Sequence, residues 1–109
     1  MIKLYEQFKQ PVLNRTKTAT FRAEEKYLVG EVHALVIVDA DGFTNFPLCG
    51  IEPIAWVRIT DVDFLCVSEM DPVEHGFADE REMAEFAVEL YRDMFDFMEY
   101  TWEYIDELK

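Results

Sequence analysis

Two runs of β-branched and aromatic residues constrain this chain more than anything else in it. One runs from Val32 to Val38; the other from Ile54 through Trp56, Val57, Ile59, Val62 and Phe64 to about Val67. Residues of this kind suit a pleated, half-buried surface, so both runs read as strands. Gly30 stands as a turn residue before the first. Asp39-Ala40-Asp41-Gly42 after it is a hairpin signal, with Phe43 to Leu48 as the return strand and Cys49 to Pro53 as a bend. Within the second run, Val57, Ile59 and Asp61 alternate against Trp56, Arg58 and Thr60, so its two faces differ in polarity.

The remaining segments fit around such a sheet. Leu4, Tyr5, Phe8, Val12 and Leu13 recur at helical steps and predict a short leading helix, with a break at Pro11. Lys17 to Arg22 reads as a strand, residues 23–27 as a polar loop, and Asp71-Pro72 with Gly76 as a second loop. Asp79 can cap a longer late helix, with Glu82 three residues on. Met83, Phe86, Leu90 and Met94 form its expected buried stripe, widened by Ala87 and Tyr91. Residues 95–105 fit a helix or a strand, and their aromatic content favours a closing strand. The expectation is one domain over residues 1–109: a small α+β fold with a curled, barrel-like sheet of five or six strands and two helices.

At 109 residues, 50% hydrophobic and 15% aromatic, the chain can build one core and is not expected to be disordered. Its opening lacks the apolar core of a signal peptide, and its longest apolar run, Ala34 to Val38, is too short to span a bilayer. A cytoplasmic location without a membrane partner is expected. Cys49 and Cys66 make no disulfide framework. They show no paired-ligand spacing with His33 or His75, so neither metal nor other cofactor is expected.

The net charge of −13 is uneven. Residues 1–60 hold seven acids and seven bases, whereas residues 61–109 hold sixteen acids and three bases. That acidic half repels a phosphate backbone, which disfavours long nucleic acid. A small nucleoside-type ligand, a single-stranded RNA segment or a basic protein partner stays open. Against the acidic background, Arg15-Thr16-Lys17-Thr18-Ala19-Thr20-Phe21-Arg22 packs three cations and three hydroxyls into eight residues. On a strand, Thr18, Thr20 and Arg22 share one face, with Lys17, Ala19 and Phe21 on the other. The pattern suits either a binding site or a solvated surface strand.

The run Phe8 through Arg22, ending Lys-Thr-x-Thr-x-Arg, resembles the opening of the ASCH domains of the PUA-like superfamily. Tyr27 to Val32, Ala55 to Val62, Glu74-His75-Gly76-Phe77 and the helix ending Glu89-Leu90-Tyr91 resemble later family elements in the same order. The resemblance covers nearly the whole chain and implies a small open β-barrel with flanking helices. In length and opening it is similar to the bacterial acetylcytidine amidohydrolases, which cleave the acetyl amide of acetylated cytidine. Arg15 departs from the family, which often has glycine there. The resemblance implies catalytic roles for Lys17 and Thr20. The third, an acid, falls on Glu74 or one residue off, because alignment from Gly76-Phe77 puts His75 in its place.

Amide hydrolysis needs a nucleophile, a proton acceptor and a stabiliser of the oxyanion. Thr20 can attack if Lys17, its pKa lowered by burial, takes the proton. Glu74 can relay it, and Arg22 can hold a phosphate or polarise the acyl oxygen. Thr18, Trp56 and His75 complete the expected binding set. Lys17 and Thr20 have opposite strand parity, so Lys17 has to lie in the turn before the strand. Two other readings compete. One is an RNA- or nucleotide-binding module, stacking a base on Trp56 or Phe21, or a metal-dependent ribonuclease using Asp61, Asp63 or Glu74. The other is an acidic protein-interaction domain presenting Tyr100, Trp102 and Tyr104 on its surface.

Overall fold

The computed structural model describes residues 1–24, 26–38, 53–92, 94 and 96–106. Strand β1 (Ile2–Tyr5) leads through a 3₁₀ turn (Glu6–Phe8) into helix α1 (Lys9–Leu13). Then come β2 (Ala19–Arg22), β3 (Val32–Val38), β4 (Ala55–Cys66), a second 3₁₀ turn (Val67–Glu69), α2 (Glu80–Tyr91) and β5 (Asp96–Tyr104). The expected hairpin turn at Asp39–Gly42, its return strand and Cys49 lie outside the described residues.

The leading segment differs from its helical expectation. Leu4 and Tyr5 belong to β1, which pairs parallel with β3 from Ile2↔Leu35 to Tyr5↔Val38. Pairing buries Ile2 and Leu4 by alternation, and the ladder satisfies backbone groups that a fraying two-turn helix would leave to water. Helix begins only at Lys9, and Pro11 sits in its first turn, where a missing amide hydrogen costs nothing. The ambiguous last segment is a strand, as its aromatic content suggested.

The five strands form one mixed sheet in the order β1-β3-β4-β5-β2. Every pair except β1/β3 is antiparallel. Curvature comes from β4, where the register slips between Ile59↔Trp102 and Asp61↔Thr101. Thr60 is the extra residue, and its Oγ1 donates to the Thr101 carbonyl at 3.2 Å. Such a bulge bends a strand and steepens its twist. It also breaks the expected alternation: Asp61 is exposed, while Val62 packs on the core in place of it. No backbone ladder joins β1 to β2 among the described residues, so the sheet is open. The Arg22 guanidinium crosses between these edges instead, donating to the Lys3 carbonyl at 3.0 Å.

Helix α2 covers the sheet. Its Phe86 ring meets Tyr5, Phe8, Phe21 and Phe77 at centroid distances of 5.2 to 6.2 Å. Met83 and Ala87 are buried. Leu90 and Met94, expected in the same stripe, are exposed: the helix stops at Tyr91, short of Met94, and Leu90 faces a cavity rather than the core. On β5, Tyr100 and Trp102 are buried, so these aromatics form core and not the surface patch an interaction domain would need.

The helix starts where its capping residue sets it. Asp79 has extended backbone, and its carboxylate accepts the Glu82 amide hydrogen at 2.9 Å. Asp79→Ala should cost about 1 kcal/mol of stability, read as a lower urea midpoint with unchanged slope. An unaltered midpoint would mean that packing alone holds the helix.

Candidate functional site

Lysine 17 is the most unusual residue in the fold. Its side chain is 1% exposed. It lies after α1 and before β2 begins at Ala19, in the turn that its parity with Thr20 required. The Lys17 carbonyl accepts from the Trp102 indole at 3.1 Å and from the Tyr104 hydroxyl. The loop at residues 74–77 holds it from the other side. The Glu74 carbonyl accepts the Thr18 and Ala19 amides at 2.8 and 3.0 Å, and the His75 carbonyl accepts from Lys17 Nζ at 2.6 Å. A second bond runs from Nζ to the Ala19 carbonyl at 2.7 Å.

Burial drives the Lys17 pKa well below the ordinary lysine value, and the Arg22 charge pushes it the same way. The Phe8 ring, 4.4 Å from Nζ, and the Trp102 ring, 5.7 Å away, favour the cation. Desolvation outweighs them. A neutral amine has two hydrogens, which match the two carbonyls and leave a lone pair free.

Thr20 is buried on β2, and its Oγ1 accepts from Arg22 at 2.7 Å. Lys17, Thr20 and Arg22 all line one cavity of about 200 Å³. Lys3 and Lys26 line it too, and among the described residues no carboxylate does. Its apolar wall includes Tyr5, Phe8, Phe77, Phe86 and Tyr91. Charge placement in the first sixty residues was a faint signal for Lys3 and Lys26, but nothing in the sequence assigns the wall.

The other expected residues fall elsewhere. Glu74 enters through its carbonyl, while its carboxylate is exposed and does not line the cavity. Burial, with Asp71 and Glu99 nearby, raises the Glu74 pKa. His75 is fully buried behind the site, with Nε2 donating to Glu99 at 2.8 Å and its ring 5.4 Å from Phe21. Burial keeps its pKa low despite that carboxylate. Thr18 donates and accepts through its backbone and is absent from the lining. Trp56 is 40% exposed and lines a different cavity with Arg15 and Tyr104. The sequence had grouped Glu74, Thr18, Trp56 and His75 with Lys17; backbone pairing and sheet curvature separate their side chains from this cavity. Among the described residues, no three His, Cys, Asp or Glu side chains converge as metal ligands.

No family model matches the sequence, and no curated protein does. Solved structures match in shape. Protein EF3133 from Enterococcus faecalis V583, of the DUF984 family, superposes at TM-score 0.60 and 19% identity, over 91% of this chain and 70% of that one. ASCH from Zymomonas mobilis gives 0.60 at 12% identity, over 94% and 64%. The ASCH domain of Lactobacillus crispatus JV V101 gives 0.55 at 16% identity, over 88% and 69%. This chain has the ASCH fold. It spans about two thirds of the length of these structures. The α+β, PUA-like architecture that the resemblance implied is thus borne out, with a sheet that stays open.

The ASCH fold explains the glycine expected at position 15. Arg15 follows α1 with φ 58°, a left-handed conformation that costs a side-chain-bearing residue about 1–2 kcal/mol. Its guanidinium pairs with Asp106 and lies 5.3 Å from the Tyr104 ring centre. Gly76 has no such latitude. Its φ is +89°, and a Cβ there would stand 3.0 Å from Phe8 Cδ1 and 3.2 Å from Lys17 Cδ.

Gly76→Ala should therefore destabilise by roughly 2 kcal/mol, measured by urea unfolding; a loss within error would mean that the loop can relax. The second expectation concerns pH. A depressed folded pKa means that the unfolded chain binds more protons, so the Lys17 contribution to stability rises with pH up to the unfolded value near 10.4. Lys17→Met should flatten the rise of the melting midpoint as the pH climbs toward the unfolded lysine value. Parallel curves for parent and variant would contradict the depressed lysine.

Proposed function

We propose that this domain binds a nucleoside-type ligand in the Lys17 cavity and hydrolyses an amide on it, the acetyl amide of acetylated cytidine being the leading substrate. One observation carries the reading: a buried, desolvated lysine amine and a threonine hydroxyl bonded to arginine line the same aromatic-walled space. Pockets for drug-sized ligands hold roughly 300–1,000 Å³. A cavity of about 200 Å³ suits a base with its acyl group.

The chemistry balances with these groups. Lys17 Nζ, as the neutral amine, takes the Thr20 hydroxyl proton as Oγ1 bonds to the acyl carbon. Arg22, donating to Oγ1 in the resting site, stabilises the charge that develops there and on the acyl oxygen. The C–N bond breaks as Lys17 returns the proton to the leaving amine. Water then cleaves the acyl–threonine ester, releasing acetate and restoring the hydroxyl. Glu74 supports the site through its carbonyl, holding the Thr18 and Ala19 amides.

The test is conversion of acetylcytidine to cytidine. Lys17→Ala and Thr20→Ala should each lower kcat/KM by about a hundredfold or more, while Glu74→Gln should stay within about twofold. Turnover that survives both alanine variants would remove the assigned roles. Loss on Glu74→Gln would put the carboxylate back into the chemistry. Ligand binding without turnover in the parent would leave a binding module.

A further inference from the structure

We infer that the ligand of this cavity carries a phosphate monoester, seated by Arg22 and Lys26. The inference rests on the nucleoside reading and makes the ligand a nucleoside monophosphate. Arg22, Lys3 and Lys26 line the cavity beside the Lys17 amine, and among the described residues no carboxylate does, in a chain of net charge −13.

The cations divide by depth. Lys17 is fully buried, with Nζ committed to two carbonyls. Arg22 is half-buried, Lys3 likewise, and Lys26 is exposed, so these three stand toward solvent. Among the described residues, the oxygens to which Arg22 donates are neutral: Thr20 Oγ1, the Phe21 carbonyl and the Lys3 carbonyl, at 2.7 to 3.0 Å, and the Tyr27 hydroxyl. Among the described residues, neither Arg22 nor Lys26 forms an ion pair with a carboxylate. A half-buried guanidinium without a counter-charge is costly and is best compensated by an anion that binds there.

The anion's charge selects its class. A phosphate monoester carries about −1.5 to −2 at neutral pH, enough to answer several cations at once. A carboxylate carries one charge. An RNA strand would offer one charge per link, and its further phosphates would meet the repulsion of a segment, residues 61–109, with sixteen acids against three bases. A terminal monoester meets the cations without that repulsion.

Isothermal titration at low salt with cytidine, cytidine 5′- and 3′-monophosphate, ribose 5-phosphate and inorganic phosphate tests this. One cytidine monophosphate should bind at least about tenfold tighter than cytidine. Lys26→Gln should remove most of that advantage, and added salt should weaken the nucleotide far more than cytidine. Equal affinity for cytidine and both monophosphates would overturn the phosphate subsite while leaving the nucleoside reading intact. Ribose 5-phosphate or inorganic phosphate binding as tightly as the nucleotide, and depending on Lys26, would uphold the subsite and overturn the nucleoside. An advantage untouched by Lys26→Gln would overturn the placement, and no binding by any probe would overturn both.

Discussion

The structure depends on keeping one amine out of water. Lys17 is held from two directions at once: β5 bonds its carbonyl through Trp102 and Tyr104, and the 74–77 loop takes its Nζ. Burying a charge is expensive unless it is paired, and the cheaper outcome for an amine is to give up its proton. The two carbonyls beside Nζ fit the neutral form, since each takes one hydrogen. Three segments distant in sequence are therefore fixed by the needs of one side chain. Gly76 belongs to the same requirement, because only a residue without Cβ lets the loop lie against the lysine stem.

The sheet makes room for that arrangement. The bulge at Thr60 curls the long central strand, and α2 closes over the concave side through Phe86. Arg22 then serves two ends, tying the edge strand β2 to β1 through the Lys3 carbonyl and bonding the Thr20 hydroxyl. A residue that spans the gap in the sheet and also touches the candidate nucleophile couples fold to site. Stability and chemistry are not separable at that position, which is why the exposed Lys26 beside it is the cleaner probe.

Much of the architecture was legible because it rests on local pattern. The β-branched run at Val32–Val38, the Asp79 cap and the aromatic alternation of the last strand each express a preference of a few neighbouring residues. Misreadings arose where a partner overrode the pattern. Leu4 and Tyr5 have helical spacing to Phe8, but β3 offered them a ladder. Asp61 has the right parity for the core, but one bulged residue reversed it. Leu90 falls on the buried stripe, but the helix faces a cavity there.

The sequence by itself determined the α+β class of the fold, and that Lys17, Thr20 and Arg22 sit close together, since all three lie within six residues. Only the tertiary structure decided their environment. Whether a lysine is solvated or stripped of water depends on what packs over it, and Phe8, Trp102 and the His75 carbonyl come from as far as 85 residues away. The same holds for Glu74, whose backbone carbonyl holds the Thr18 and Ala19 amides while its carboxylate stays exposed. Side-chain identity can be read along a chain; desolvation and backbone hydrogen bonding are properties of the space into which it folds.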